Sequence, residues 1–230
     1  MIMKYSAIIP AGGSSTRYGS GNKLFETLNG IPVFLHAVIL FRRFCNDRYI
    51  VIPVHQDHKN SLLELLNQFI PGHTITVVNG GSDRTRSVLN AIDALPHDCD
   101  LTAVHDAARP LIRQETIQAV YEAAAVHSAA AAARKVTSTL KLADENGMLT
   151  AGNINREFIW EIETPQTFRT ELLRRALQET VSRNLSFTDD TAAVERFCGI
   201  RTTPIQPEEV NLKITRFSDL ALAEALLKSR

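Results

Sequence analysis

Four short segments carry side chains suited to handling a polyanion. The first is Pro10-Ala11-Gly12-Gly13-Ser14-Ser15-Thr16-Arg17, followed closely by Asn22-Lys23. Small residues let backbone N–H groups approach phosphate oxygens, and Arg17 and Lys23 place two cations in the same loop. A glycine-rich turn with two solvated cations is the plainer alternative. The spacing is neither G-x-x-x-x-G-K-[ST] nor G-x-G-x-x-G, which argues against a P-loop and a dinucleotide fingerprint. The second segment is Val104-His105-Asp106-Ala107-Ala108-Arg109-Pro110. Its carboxylate, Asp106, can help hold Mg²⁺, which takes one or two carboxylates together with substrate phosphates. A strand-end ion pair with Arg109 is the competing explanation.

The third segment is Gly80-Gly81-Ser82-Asp83-Arg84-Thr85-Arg86-Ser87. Paired glycines let a flat ring lie against the backbone, and Ser or Asp groups can bond its edge. The alternative is a Gly-Gly turn with Ser82 or Asp83 capping the next helix. In the fourth, Asn211-Leu212-Lys213-Ile214-Thr215, a lysine interrupts an apolar, strand-like run. Lysine on an exposed edge strand is the ordinary reason for that pattern. His55-Gln56-Asp57-His58 lacks the further ligands a zinc site needs and reads as a solvated turn.

These segments fall at the ends of alternating elements. Strand-like runs cover residues 5–10, 49–54, 75–78 and 101–104, and helical spacing covers 33–43, 61–70, 84–95 and 114–127. Such β-α repetition with short connections predicts an α/β fold, a mostly parallel sheet with helices on both faces. In an open sheet of this kind ligands bind beyond the carboxyl ends of the strands. The run 129–133 is all alanine, the best helix former, yet the architecture requires a strand there. Residues 136–142 are Thr-rich and alternating, Asp144-Glu145-Asn146-Gly147 is a turn, and strand-like residues follow toward 154. A hairpin excursion is expected there, with the wound pattern resuming near Trp160. A last helix is expected over 219–227, with Ser218 as its N-cap.

The bulk composition excludes several classes. The 230 residues carry 25 Lys plus Arg against 25 Asp plus Glu, so no global field attracts nucleic acid or a membrane surface. No run is long enough to span a bilayer, and the N-terminus lacks the apolar segment of a signal peptide. Three widely spaced cysteines without a C-x-x-C point to reduced thiols and a cytoplasmic setting. No linker or internal repeat divides the chain, so one domain over 1–230 is expected, with 136–158 as a protruding arm.

Taken in order, the segments resemble the 2-C-methyl-D-erythritol 4-phosphate cytidylyltransferase family. The likeness runs through Pro10-Ala11-Gly12-Gly13 with Arg17 and Lys23, Gly80-Gly81 with Ser87, and His105 to Pro110. It continues through Arg156, Trp160, Thr164-Pro165-Gln166, Thr188-Asp189-Asp190 and Asn211 to Thr215. Departures gather in the first loop. Ala11-Gly12-Gly13 stands where the family usually has Ala-Ala-Gly, Ser15 where a glycine is common, Asn22 where many have Pro and Leu24 where many have Gln. Ribitol-5-phosphate cytidylyltransferases resemble the same motifs. Ala107-Ala108 and the placement of Trp160 after Arg156 favour the erythritol-phosphate family.

The resemblance implies a Rossmann-like nucleotidyltransferase fold with a β-hairpin dimerisation arm. It implies transfer of CMP from CTP to a sugar-alcohol phosphate, with Mg²⁺ near Asp106. Arg17 and Lys23 would meet the α-phosphate and the departing pyrophosphate. Ala11, Gly12, Gly13, Gly81, Asp83, Ser87, Asp106 and Ala107 would bind the nucleotide. Asp106, Arg109, Thr139, Arg156, Thr164 and Lys213 would hold the acceptor. Arg17, Lys23, Lys213 and Arg156 would be the catalytic set. In a homodimer, Thr139 and Arg156 flank the arm that reaches the neighbouring subunit. A catalytically silent nucleotide-binding module on the same fold is a second class, which the presence of Arg17, Lys23, Asp106 and Lys213 disfavours.

Overall fold

The computed structural model describes residues 3–12, 18, 22–152 and 154–229. Strand β1 (Tyr5–Ile8) leads to a small hairpin of β2 (Thr27–Leu28) and β3 (Ile31–Pro32). Asn29 and Gly30 turn it, both at positive φ, the conformation that favours an Asn-Gly pair in a two-residue hairpin turn. Then come α1 (Val33–Phe41), β4 (Ile50–Val54), α2 (Lys59–Phe69), β5 (Thr76–Asn79) and α3 (Arg84–Asp93). The chain continues as β6 (Leu101–Val104), α4 (Gln114–His127), β7 (Ala129–Lys135) and β8 (Trp160–Arg169). It ends with α5 (Thr170–Ser182), α6 (Asp190–Cys198), β9 (Thr203–Ile205) and α7 (Phe217–Lys228).

Seven strands form one sheet in the order β5-β4-β1-β6-β8-β7-β9. β5, β4, β1 and β6 pair in parallel, as does β7 with β9, and β8 runs antiparallel between β6 and β7. Strand alternation places the helices on opposite faces. Tyr5 stacks on Tyr121 of α4 with ring centroids 4.4 Å apart. The next residue, Ser6, points the other way. Its hydroxyl meets Thr102, whose hydroxyl meets Thr170 at the start of α5. The core between these layers is fully buried aliphatic and aromatic surface, including Ile8, Phe34, Phe41, Ile50 and Phe168.

The polyalanine run is a strand, as the architecture required. Ser128, at φ 71°, ends α4 in the left-handed conformation, and its carbonyl accepts from Arg169 N. The five alanines are then buried between β8 and β9, where pairing on both sides outweighs helix propensity.

Four local expectations are corrected. The wound pattern does not resume at Trp160, because β8 is a ten-residue antiparallel strand. The excursion before it closes at 144–147, but among the described residues its two limbs share a single bridge, Ala143 with Leu149, rather than a ladder. Its side chains are largely exposed, so little apolar burial holds the limbs in register. The segment 211–215 belongs to no strand. Finally, α7 starts at Phe217 with Arg216 as N-cap, and Ser218 lies inside it. The Asp219 carboxylate reaches back to the N–H groups of Thr215 and Arg216, each at 2.8 Å.

Candidate active site

The chain leaves β1, β4, β5 and β6 at the same edge of the sheet, and backbone bonds extend the pairing past the strand ends. Ala11 N donates to Pro53 O at 2.8 Å, His105 N to Ile8 O at 2.9 Å and Gly80 N to Val54 O at 2.8 Å. Ala107 N donates to Pro10 O at 3.3 Å. The Ala11-Gly12 segment, the Gly-Gly loop and the Asp106 loop are thereby drawn together. Gly13 and Arg17 lie outside the described residues. Lys23 is half-buried in a turn organised by Asn22, whose side chain accepts from Leu24 N.

Asp106 is the electrostatic centre. Its Oδ2 accepts from Lys213 Nζ at 2.6 Å, and Oδ1 faces Arg84 Nε at 3.8 Å. Burial resists ionisation of this carboxyl, but Lys213, Arg84 and Arg109 outweigh it and pull its pKa down to about 2. Arg84 also donates to Asp190 at 2.8 Å. Burial raises the Asp190 carboxyl despite that partner.

The backbone beneath Asp106 is fixed by a chain of hydrogen bonds with one direction. His105 Nε2 lies 3.1 Å from Arg109 O, a carbonyl that can only accept, so the proton sits on Nε2. Nδ1 must then accept from the Thr164 hydroxyl at 3.2 Å, and that oxygen accepts Asp106 N–H at 3.0 Å. Burial holds His105 neutral by lowering its pKa to about 4.

Lys213 is delivered by anchors on either side. Ile214 is buried and its N–H donates to Ala108 O at 2.8 Å. Asn211 is buried, its carbonyl accepts from Arg109 Nη1 at 2.6 Å, and its amide donates to Glu163 Oε2 and Thr164 O. The lysine between them projects to the surface beside Asp106.

The Gly-Gly loop is built for backbone approach. A Cβ on Gly81 would fall 2.4 Å from Arg86 Cβ and 2.9 Å from Arg86 C, so only glycine fits. Asp83 caps α3 by accepting from Arg86 N at 2.8 Å and also pairs with the Arg86 guanidinium. Ser87 closes the loop, accepting from Gly81 N at 3.0 Å and donating to Asp83 O at 2.7 Å. Both side chains therefore already serve the loop's own geometry. Thr164 and Arg109 are likewise engaged, bracing the Asp106 loop.

Thr139 and Arg156 are not joined to this cluster by any hydrogen bond or ion pair among the described residues. Both are exposed, and Arg156 donates to the Thr137 carbonyl within the arm. Sequence reasoning overlooked Arg84, Asp190 and Gln166. Each sat in a quoted motif, but an ion pair between residues 106 positions apart has no signature in spacing.

A mostly parallel sheet whose strand ends carry small-residue loops and a carboxylate between two cations matches an α/β nucleotidyltransferase-like fold. The model of the IspD family, 2-C-methyl-D-erythritol 4-phosphate cytidylyltransferase, matches residues 5–229. The chain belongs to that family. Two relatives bearing the same description come from Endomicrobium trichonymphae and Bacillus velezensis. The first is 37% identical over 99% of this chain and 100% of the relative, the second 33% over 99% and 97%. A crystal structure of the Thermus thermophilus cytidylyltransferase superposes with a TM-score of 0.80 at 27% identity, covering 98% of this chain and 100% of that one.

Proposed function

We propose that this protein transfers the cytidylyl group of CTP to 2-C-methyl-D-erythritol 4-phosphate and releases pyrophosphate. The observation that carries the reading is Lys213 held 2.6 Å from Asp106 at the strand ends, beside a loop only glycine can form, in a chain of this family. An acceptor phosphate oxygen attacks the α-phosphorus, and pyrophosphate leaves in line. The nucleophile is already an anion at neutral pH, so no general base is needed. Two polyanions must meet, and positioning and charge stabilisation therefore dominate the catalysis.

In this reading Lys213 bridges the acceptor phosphate and the α-phosphate. Arg17 and Lys23 act on the triphosphate. Ala11, Gly12, Gly13, Gly81 and Ala107 offer backbone to the nucleotide, with Asp83 and Ser87 shaping the cytosine loop. Asp106, Arg109 and Thr164 form the acceptor side.

Among the described residues no cluster of three His, Cys, Asp or Glu side chains could hold a resident metal. One ionised carboxylate, Asp106, suits a Mg²⁺ that arrives with the nucleotide, because such an ion needs few protein ligands beside the phosphates. When bound there, the ion neutralises triphosphate charge.

The arm supports a two-fold homodimer. Leu142, Met148, Leu149 and Phe158 are all more than 60% exposed, an apolar surface unsuited to water. Thr139 and Arg156 then act in the neighbouring subunit's site. Three free cysteines favour a cytoplasmic setting, and no described helix is long and apolar enough to cross a membrane.

The test is pyrophosphate release from purified protein, CTP and Mg²⁺, with methylerythritol phosphate and ribitol phosphate in parallel. Turnover with methylerythritol phosphate is expected. Preference for ribitol phosphate would replace the acceptor, and no turnover with either would favour a silent binding module.

A further inference from the structure

We propose that Arg84 is a positioning residue for this reaction. By bridging Asp106 and Asp190 it holds the Asp106 carboxylate where that group fixes the ammonium of Lys213 between the two substrates. The inference rests on the assignment of Lys213 to the reacting phosphates.

Four charges of alternating sign form a chain between the buried Asp190 and the exposed Lys213. Asp190 is 2% exposed, Arg84 31%, Asp106 15% and Lys213 42% in their side chains. Arg84 Nη1 is 2.8 Å from Asp190 Oδ2, and its Nε is 3.8 Å from Asp106 Oδ1. Lys213 takes the other oxygen of Asp106. The two oxygens of Asp106 are thus divided between two cations, which sets the direction in which Oδ2 points.

A lysine ammonium on a flexible stem is ordered only by what it touches. Among the described residues Lys213 bonds Asp106, and Asp106 faces Arg84 through its other oxygen. The guanidinium is suited to this task because it hydrogen-bonds Asp190 through Nη1 while its delocalised charge acts on Asp106 across 3.8 Å. Arg84 is itself placed by the backbone. It is the first residue of α3, directly after the Gly80–Asp83 loop, and Asp190 is the first residue of α6. The Asp190 N–H is held by Gln166 Oε1 at 3.0 Å, which ties that helix start to β8. One guanidinium therefore couples the nucleotide loop, the β6 strand end and the acceptor-side lysine. Without it, no cation would stand between the buried Asp190 and the half-buried Asp106.

The test is a double-mutant cycle on the intact enzyme, using kcat and KM for CTP. Arg84→Gln should lower kcat roughly 10- to 100-fold, the range seen when a group orienting a functional side chain is removed. KM should change less than about threefold, because the loss falls on the transition state. In a Lys213→Ala background, Arg84→Gln should cost less than about threefold more, since the group it positions is already gone. Multiplying losses in the double variant would overturn the proposal, whether Arg84 touches nucleotide directly or merely braces the fold. If Arg84→Gln does not fold, Arg84→Lys enters the same cycle, keeping the charge but losing the fork. If Lys213→Ala alone keeps near-normal turnover, the Lys213 assignment fails and takes this inference with it. Multiplication with an impaired Lys213→Ala overturns the inference alone.

Discussion

At the scale of single residues, the proposed chemistry rests on cations that neighbours hold in place. On the proposed reading, Lys213→Ala removes a transition-state contact while leaving Asp106 beside Arg84. Losing one such contact costs roughly 3–4 kcal/mol, two to three orders of magnitude in turnover. Lys23→Ala and Arg17→Ala should show losses of the same order with unchanged circular dichroism, and near-normal rates in all three would remove the catalytic assignments. His105 makes a separate prediction about stability. Its pKa is about 4 in the folded protein, because burial penalises the charged form, against about 6.5 unfolded. Between those values the unfolded chain binds the extra proton, so stability falls as pH drops from 6.5 toward 4. The contribution lost by pH 5 is roughly 2 kcal/mol. Urea titrations at pH 7.5 and 5 should therefore show a steeper decline for the wild type than for His105→Gln, and equal declines would contradict the buried neutral imidazole.

At the scale of elements, loops at strand ends do the positioning. Gly80 and Gly81 differ in what a methyl group would meet. On Gly80 a Cβ would lie 3.1 Å from the Ser87 hydroxyl oxygen, a contact relieved by a shift of a few tenths of an ångström. On Gly81 it would strike the first turn of α3 at 2.4 Å. Gly81→Ala should therefore cost about 1–3 kcal/mol of stability and raise KM for CTP more than KM for the acceptor. Gly80→Ala should be milder on both counts. If the two substitutions behave alike in melting and kinetics, the close packing of the loop against Arg86 does not control nucleotide binding.

At the scale of the whole molecule, the arm raises the question of where Arg156 acts. In one chain it touches only its own arm among the described residues. We expect it to complete the neighbouring subunit's site in a two-fold dimer, whose closed interface would use the arm on both sides. Mixing Lys23→Ala subunits with Arg156→Ala subunits separates the cases. If Arg156 acts in trans, each mixed dimer has one site with both defects and one intact, and random exchange restores roughly a quarter of wild-type activity. Native mass spectrometry shows whether mixed dimers formed. Mixed dimers without activity would place Arg156 in its own subunit and leave the cytidylyl-transfer reading unaffected.

What was legible in the sequence was local in origin. Residue alternation and punctuation marked the strands and helices up to His127, and the small-residue loops, Asp106 and Lys213 stood out by type and order. Asn29-Gly30 carried an equally local hairpin signal that was passed over. Tertiary structure decided whatever required distant segments to meet. Propensity in the alanines of 129–133 favoured helix, and only pairing to β8 and β9 made them a strand. Lys213 read as strand-borne, yet its place beside Asp106 comes from Asn211 and Ile214 docking on a loop about a hundred residues earlier. Asp83, Ser87 and Thr164, expected as ligand contacts, also hold the loops themselves, because a hydroxyl or carboxylate bonds whichever backbone group the fold brings to it. Arg84 and Asp190 escaped notice for the same reason. Charge pairing depends on distance in space, and spacing along a chain records that only within a single helix or hairpin.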